Sequence, residues 1–97
     1  SLQLRHLMRP PSLSDDALKV LRAARERALD GYTLMSKTSL DAQKLYEAIR
    51  QLVDEDLVSI RGDLNPDRIG DVYLVVPPTA FGYADLLLGD LRFKRAL

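Results

Sequence analysis

The chain has 97 residues, enough for one domain that buries roughly 60 to 70% of its unfolded surface. Its 14 basic and 14 acidic side chains cancel, which excludes a uniformly basic nucleic-acid-coating protein, since such binding needs clustered positive charge. With no cysteine there is neither a disulfide framework nor a thiolate metal site, and no apolar run approaches the roughly 20 residues of a bilayer span.

In chain order, Leu2 to Arg9 carries Leu2, Leu4, Leu7 and Met8 and ends at Pro10-Pro11, which cannot continue a helix. It is expected to be an arm packed on the domain. A first residue other than Met fits a processed end or a piece of a longer protein, residues 1–11 carry no secretory apolar stretch, and the cysteine-free composition, ordinary for a reducing compartment, predicts a cytoplasmic location. Ser14 offers an N-cap, Asp15 and Asp16 place negative charge in the first turn, and Gly31 offers a stop, so a helix is predicted over about 15 to 30. Its core stripe is Ala17, Leu18, Leu21, Ala24 and Ala28, and Arg22, Arg25 and Arg27, set among Asp15, Asp16, Glu26 and Asp30, read as a solvated face.

Gly31-Tyr32-Thr33 reads as a break long enough for a turn or one short strand, and Leu34 to Lys37 has room for about one helical turn. Thr38-Ser39 then caps a longer helix over about 39 to 55, with Thr38 and Asp41 in capping-box spacing and Leu45, Ala48, Ile49, Leu52 and Val53 as its apolar stripe. Opposite that stripe lie Gln43, Glu47, Arg50 and Asp54, with Lys44 on one flank; Arg50 and Asp54 are spaced to pair. Residues 57–60 and 71–76 read as two strands, with Gly62 and Gly70 bracketing a polar hairpin tip, DLNPDRI. Pro77-Pro78 ends the second strand, and residues 79–91 read as a last helix whose Phe81, Ala84, Leu86, Leu87, Leu88 and Leu91 exceed what one buried face can hold.

The order helix, turn, amphipathic helix and two strands over TLMSKTSLDAQKLYEAIRQLVDEDLVSIRGDLNPDRIGDVYLVV resembles the winged helix-turn-helix superfamily. LVDEDLV stands where that family commonly has L-x-x-x-G-L-I, with Asp56 at the Gly position, and VYLVVPPTAFGYADLLL resembles the family's passage from the last wing strand into a helix. The resemblance spans residues 14–90. It implies an α+β fold: a three-helix core with a two- or three-stranded wing sheet and an added C-terminal helix, in one domain over 1–97. The arm would be 1–13, the core 14–78, and the C-terminal helix and tail 79–97.

By the same resemblance, the expected function is the DNA-binding domain of a transcription regulator. Gln43 and Lys44 would reach base edges of double-stranded DNA, and Lys37, Thr38, Ser39, Arg61 and Arg68 its backbone; Glu47 would accept from a cytosine amino group. Residues 32–58, which hold this reading head, nevertheless carry a balance of −2. A scatter of surface charges explains the same cations as well. The alternative is a protein-interaction or dimerisation module, with Phe81, Ala84, Leu87, Leu88 and Leu91 as the interface, or an adaptor delivering a partner by its acidic corner, Asp54 to Asp56.

Asp63, Asn65 and Asp67 copy the opening of a calcium loop, but Arg68 and Leu74 stand where that loop needs Gly and Glu, so they read as turn formers. His6 is the lone histidine, no phosphate-cradling glycine motif is present, and Arg92, Lys94 and Arg95 read as a helix-stabilising end. Tyr32, Tyr46, Tyr73 and Tyr83 read as half-buried packing residues. The sequence therefore predicts no enzyme, no cofactor and no metal.

Overall fold

The computed structural model describes residues 13–89. Helix α1 (Asp15–Glu26) begins where Ser14 caps it, the Ser14 hydroxyl accepting from the Ala17 N–H at 3.1 Å. Ala17, Val20, Leu21 and Ala24 form its buried stripe, with the three- and four-residue steps that put side chains on one helical face. The helix stops earlier than its periodicity predicts. Arg27 is extended, and Leu29–Asp30 forms strand β1, where Leu29 pairs with Leu74 and is buried.

Gly31 opens the next helix instead of ending the last one. Helix α2 (Gly31–Thr38) is capped by Asp30, whose carboxylate accepts from both the N–H and the hydroxyl of Thr33. The Gly31 N–H donates to the Val72 carbonyl at 2.8 Å, and the backbone passes so close to Ile69 that only a residue without a Cβ fits. Two full turns form where one was expected. The helix ends with Ser39 in the left-handed region at φ 62°, its N–H donating to the Met35 carbonyl at 2.8 Å.

Helix α3 (Ala42–Asp54) starts three residues later than predicted, because its cap is Asp41 and not Thr38-Ser39. The Asp41 carboxylate accepts from the Lys44 N–H at 2.8 Å, whereas Thr38 is buried and its hydroxyl donates back to the Leu34 carbonyl at 2.6 Å. Leu45, Ala48, Ile49 and Leu52 are buried, chiefly against α1. At its C-terminus Asp56 takes φ 58°, its N–H donating to Val53 and the Leu57 N–H to Leu52, both at 3.0 Å. This is a Schellman turn, with Leu52 and Leu57 both fully buried beside it.

Strands β2 (Ser59–Arg61) and β3 (Tyr73–Val75) complete an antiparallel sheet in the order β1-β3-β2. Leu29, Leu74 and Ile60 lie in one cross-strand row, and Asp30, Tyr73 and Arg61 in the next. Alternation turns Val72, Leu74 and Val76 into the core and Tyr73 and Val75 outward. The link from Arg61 to Tyr73 is not a free polar tip. Pro66–Asp71 winds into 3₁₀ turns interrupted at Arg68, and Ile69 is buried where this segment packs on α2 and α3. After Pro77 a 3₁₀ turn (Pro78–Ala80) leads into helix α4 (Phe81–Leu87), which packs on α1. The described residues form an α+β domain with four α-helices, two 3₁₀ segments and one three-stranded sheet. The expected arm at 2–9 and the basic end at 92–95 lie outside the described residues.

Candidate nucleic-acid interface

Burying its apolar stripe against α1 leaves α3 with an exposed face bearing Gln43, Lys44, Glu47, Arg50 and Asp54. Lys37, at the end of α2, and Ser39, in the turn, are exposed beside the start of that helix. Thr38 is 8% exposed and faces inward, so it offers no surface to a ligand. Arg61 stands on the outer face of the sheet, and Arg68 is exposed in the 3₁₀ segment. The predicted cations are thus at the surface but spread over four elements.

Their electrostatics are a patchwork. Starting at the Asp41 cap, Lys44, Glu47, Arg50 and Asp54 alternate in sign at three- and four-residue steps, so each charge has an opposite neighbour one turn away. The Gln43 amide donates to the Glu47 carboxylate at 3.0 Å. Arg50 was expected to pair with Asp54, but its guanidinium donates to the Tyr46 hydroxyl at 3.3 Å, 6.0 Å from the centre of that ring. Tyr46, and then the field of Asp54, hold Arg50 more firmly protonated than a free arginine. Arg68 sits 3.7 Å from Asp63, both more than two-thirds exposed, a contact weak in water.

The helix N-termini are equally informative. Asp30 and Asp41 place carboxylates at the positive ends of α2 and α3, where a phosphate would otherwise sit. The Thr33 hydroxyl and N–H hold the Asp30 carboxyl below its ordinary range. Anion capture at these ends is therefore disfavoured, and any phosphate contact falls to side chains.

The second predicted surface is only partly formed. Ala84 is fully buried against the core, and Phe81 is half-buried beneath the Arg25 guanidinium, 3.9 Å from its ring centre. Leu87 and Leu88 are half-buried, Leu86 is 70% exposed, and Leu91 lies outside the described residues. The Arg25 side chain donates to both oxygens of Asp85 at 2.8 and 3.1 Å, so it joins α1 to α4 and does not belong to an open basic patch. Burial, and secondarily Glu55, pushes the Tyr83 hydroxyl pKa upward.

Tyr32 and Tyr73 are not the half-buried residues expected: they are 64% and 48% exposed, while Tyr46 and Tyr83 are half-buried. The signal for Tyr73 was present in DVYLVV, where alternation turns every second residue outward. Asn65 uses its side-chain oxygen to accept from the Asp67 N–H, as a turn former does. No group of three or more metal-ligating side chains converges among the described residues, and none of their helices is long and apolar enough to cross a membrane. His6 lies outside them. Comparison with family models, curated proteins and solved structures gave no match.

Proposed function

We propose that this chain is a winged helix-turn-helix domain that engages duplex DNA with α3 and the β2–β3 wing, as the non-catalytic targeting part of a regulatory protein. The observation that carries the proposal is the element order α1-β1-α2-α3-β2-β3 with a β1-β3-β2 sheet, which leaves the outer face of α3 exposed beside the wing. In that arrangement the helix after the turn is the one shaped to enter a major groove. Gln43 and Lys44 reach base edges, and Lys37, Ser39, Arg61 and Arg68 meet the backbone. Glu47, held by Gln43, restricts the site to sequences offering a donor at its position, such as a cytosine amino group. Thr38 drops out of the set because it is buried.

Fluorescence anisotropy with mixed-sequence duplex at low salt tests this directly. Binding that weakens on adding salt, and weakens again in Lys44→Ala, is the expected result; no binding at tens of micromolar would sink the proposal.

The alternating charges on α3 favour a second reading, a protein-interaction module whose apolar contact is the exposed end of α4 around Leu86. Sedimentation of wild type and Leu86→Glu separates the two. A self-association lost in Leu86→Glu, without any DNA binding, would support the module.

A further inference from the structure

Apart from Arg61, which the DNA reading also uses, the outer face of the sheet serves neither reading, and it holds a distinctive arrangement. Among the described residues four large apolar side chains are exposed: Tyr32, Tyr73, Val75 and Leu86. Two of them, Tyr73 and Val75, are neighbours on the outward side of the central strand β3, and the ring of Tyr32 covers Gly70, three residues before Tyr73. Tyr73 is also the middle of a charged row. Asp30 is its partner on β1 and Arg61 its partner on β2, so the row across the sheet reads acid, aromatic, base. One row further on, Val75 lies opposite Ser59, which adds no charge.

We propose that this face docks on the same face of a second copy of the chain, about a twofold axis parallel to β3. An axis along β3 reverses the row, bringing Asp30 of each copy over Arg61 of the other while Tyr73 and Val75 meet their own symmetry mates. The alternative axis, running along the row, would set Asp30 on Asp30 and Arg61 on Arg61. The charge pattern selects the first. The Asp30 carboxylate remains available as an acceptor, because a carboxylate has more acceptor sites than the Thr33 contacts occupy.

The aromatic centre supplies apolar burial at low conformational cost, and the flanking charges set orientation. The named patch residues are few beside the roughly 20 to 30 residues a side of a standard interface. Dissociation constants in the upper micromolar range are therefore expected.

Sedimentation velocity of the full chain, up to about 1 mM, is the primary test. Wild type is expected to shift from monomer toward dimer, and Tyr73→Thr and Arg61→Asp each to weaken the association about tenfold or more. Asp30→Asn keeps a capping oxygen while removing the charge, and is expected to weaken it too. Thermal unfolding followed by circular dichroism shows that each variant is folded.

Because the chain has no cysteine, Val75→Cys can be joined to its own mate by a short bis-thiol cross-linker, and it should react faster than Ser36→Cys on the exposed side of α2. A strict monomer at all concentrations would overturn the proposal. So would an association indifferent to Tyr73→Thr and Arg61→Asp, or equal cross-linking at positions 75 and 36. Loss in Leu86→Glu alone would place the contact on α4 instead.

Discussion

A Cβ built on Gly31 would lie 1.8 Å from the Ile69 carbonyl oxygen, whereas one built on Gly82 meets nothing within 4 Å. Backbone atoms cannot swing aside as a side chain can, so Gly31→Ala must push the 3₁₀ segment off α2. A loss of about 3 kcal/mol or more in urea unfolding is expected. Gly82→Ala fills open space in α4 and removes backbone freedom from the unfolded chain, so a gain of about 0.5 kcal/mol is expected in the same assay. Equal effects would mean that the α2 approach is looser than described.

Asp30 gives a pH-dependent counterpart. The Thr33 contacts lower its folded pKa, so its contribution is fully present above the ordinary carboxylate value and is lost as pH falls through the lower, folded one. Thermal midpoints should therefore fall on acidification from about pH 5 to about pH 3, and fall less in Asp30→Asn. An identical slope in the two proteins would remove Asp30 from the acid response.

At the scale of elements, a polar constellation links α4 to α1 beside the buried Ala84. Arg25 stacks on Phe81 and makes two hydrogen bonds to Asp85, with the paired side chains 30% exposed. A double-mutant cycle with Arg25→Ala and Asp85→Ala should give a coupling of about 1 kcal/mol, the upper end for a partly screened pair. Arg25→Lys should lose most of that coupling, since an ammonium cannot bridge both oxygens in the same plane. Hydrogen exchange should then speed up in α4 while the buried face of α3 stays protected.

The elements readable in the sequence are those whose pattern is local. The Ser14 cap and the stripe from Leu45 to Leu52 follow from spacing alone, whereas the turn at Asp56 was indicated only by resemblance, Asp56 standing where the winged-helix superfamily commonly has Gly. Strand β1 falls at Leu29–Asp30 and not in the 31–33 break where a short strand had room, because a two-residue strand is defined by its partner, Leu74, more than forty residues away. In TSLD three side chains can cap, and the choice of Asp41 depends on Thr38 and Leu40 being drawn into the core. The single apolar residue in the loop's RIG triplet, Ile69, was the available sign that this segment folds back; its polar neighbours concealed it. On the candidate surface, the exposed row of α3 was readable from its periodicity, but the Tyr46 contact of Arg50 and the inward turn of Thr38 required the third dimension.

Across the whole molecule, equal numbers of acids and bases leave no net charge to draw in a polyanion, so under the proposed function affinity for DNA comes from local cations. The proposed phosphate contacts are Lys37, Lys44, Arg61 and Arg68, so about four phosphates are neutralised and log K should fall against log salt with a slope of about −3.6. Arg68 already faces Asp63 at 3.7 Å, which argues for a shallower slope, about −3. Lys44→Ala should flatten the slope by about 1. Glu47→Gln should instead tighten binding to mixed-sequence duplex with little change in slope, because it removes a repulsion without adding a phosphate contact. These responses separate the charges by role: a cation that meets phosphate changes the slope, whereas an acid that filters sequence changes the affinity and which base pairs are preferred. A Lys44→Ala protein with unaltered slope would take α3 out of the interface even if some DNA binding remained, and would leave the wing cations as its source.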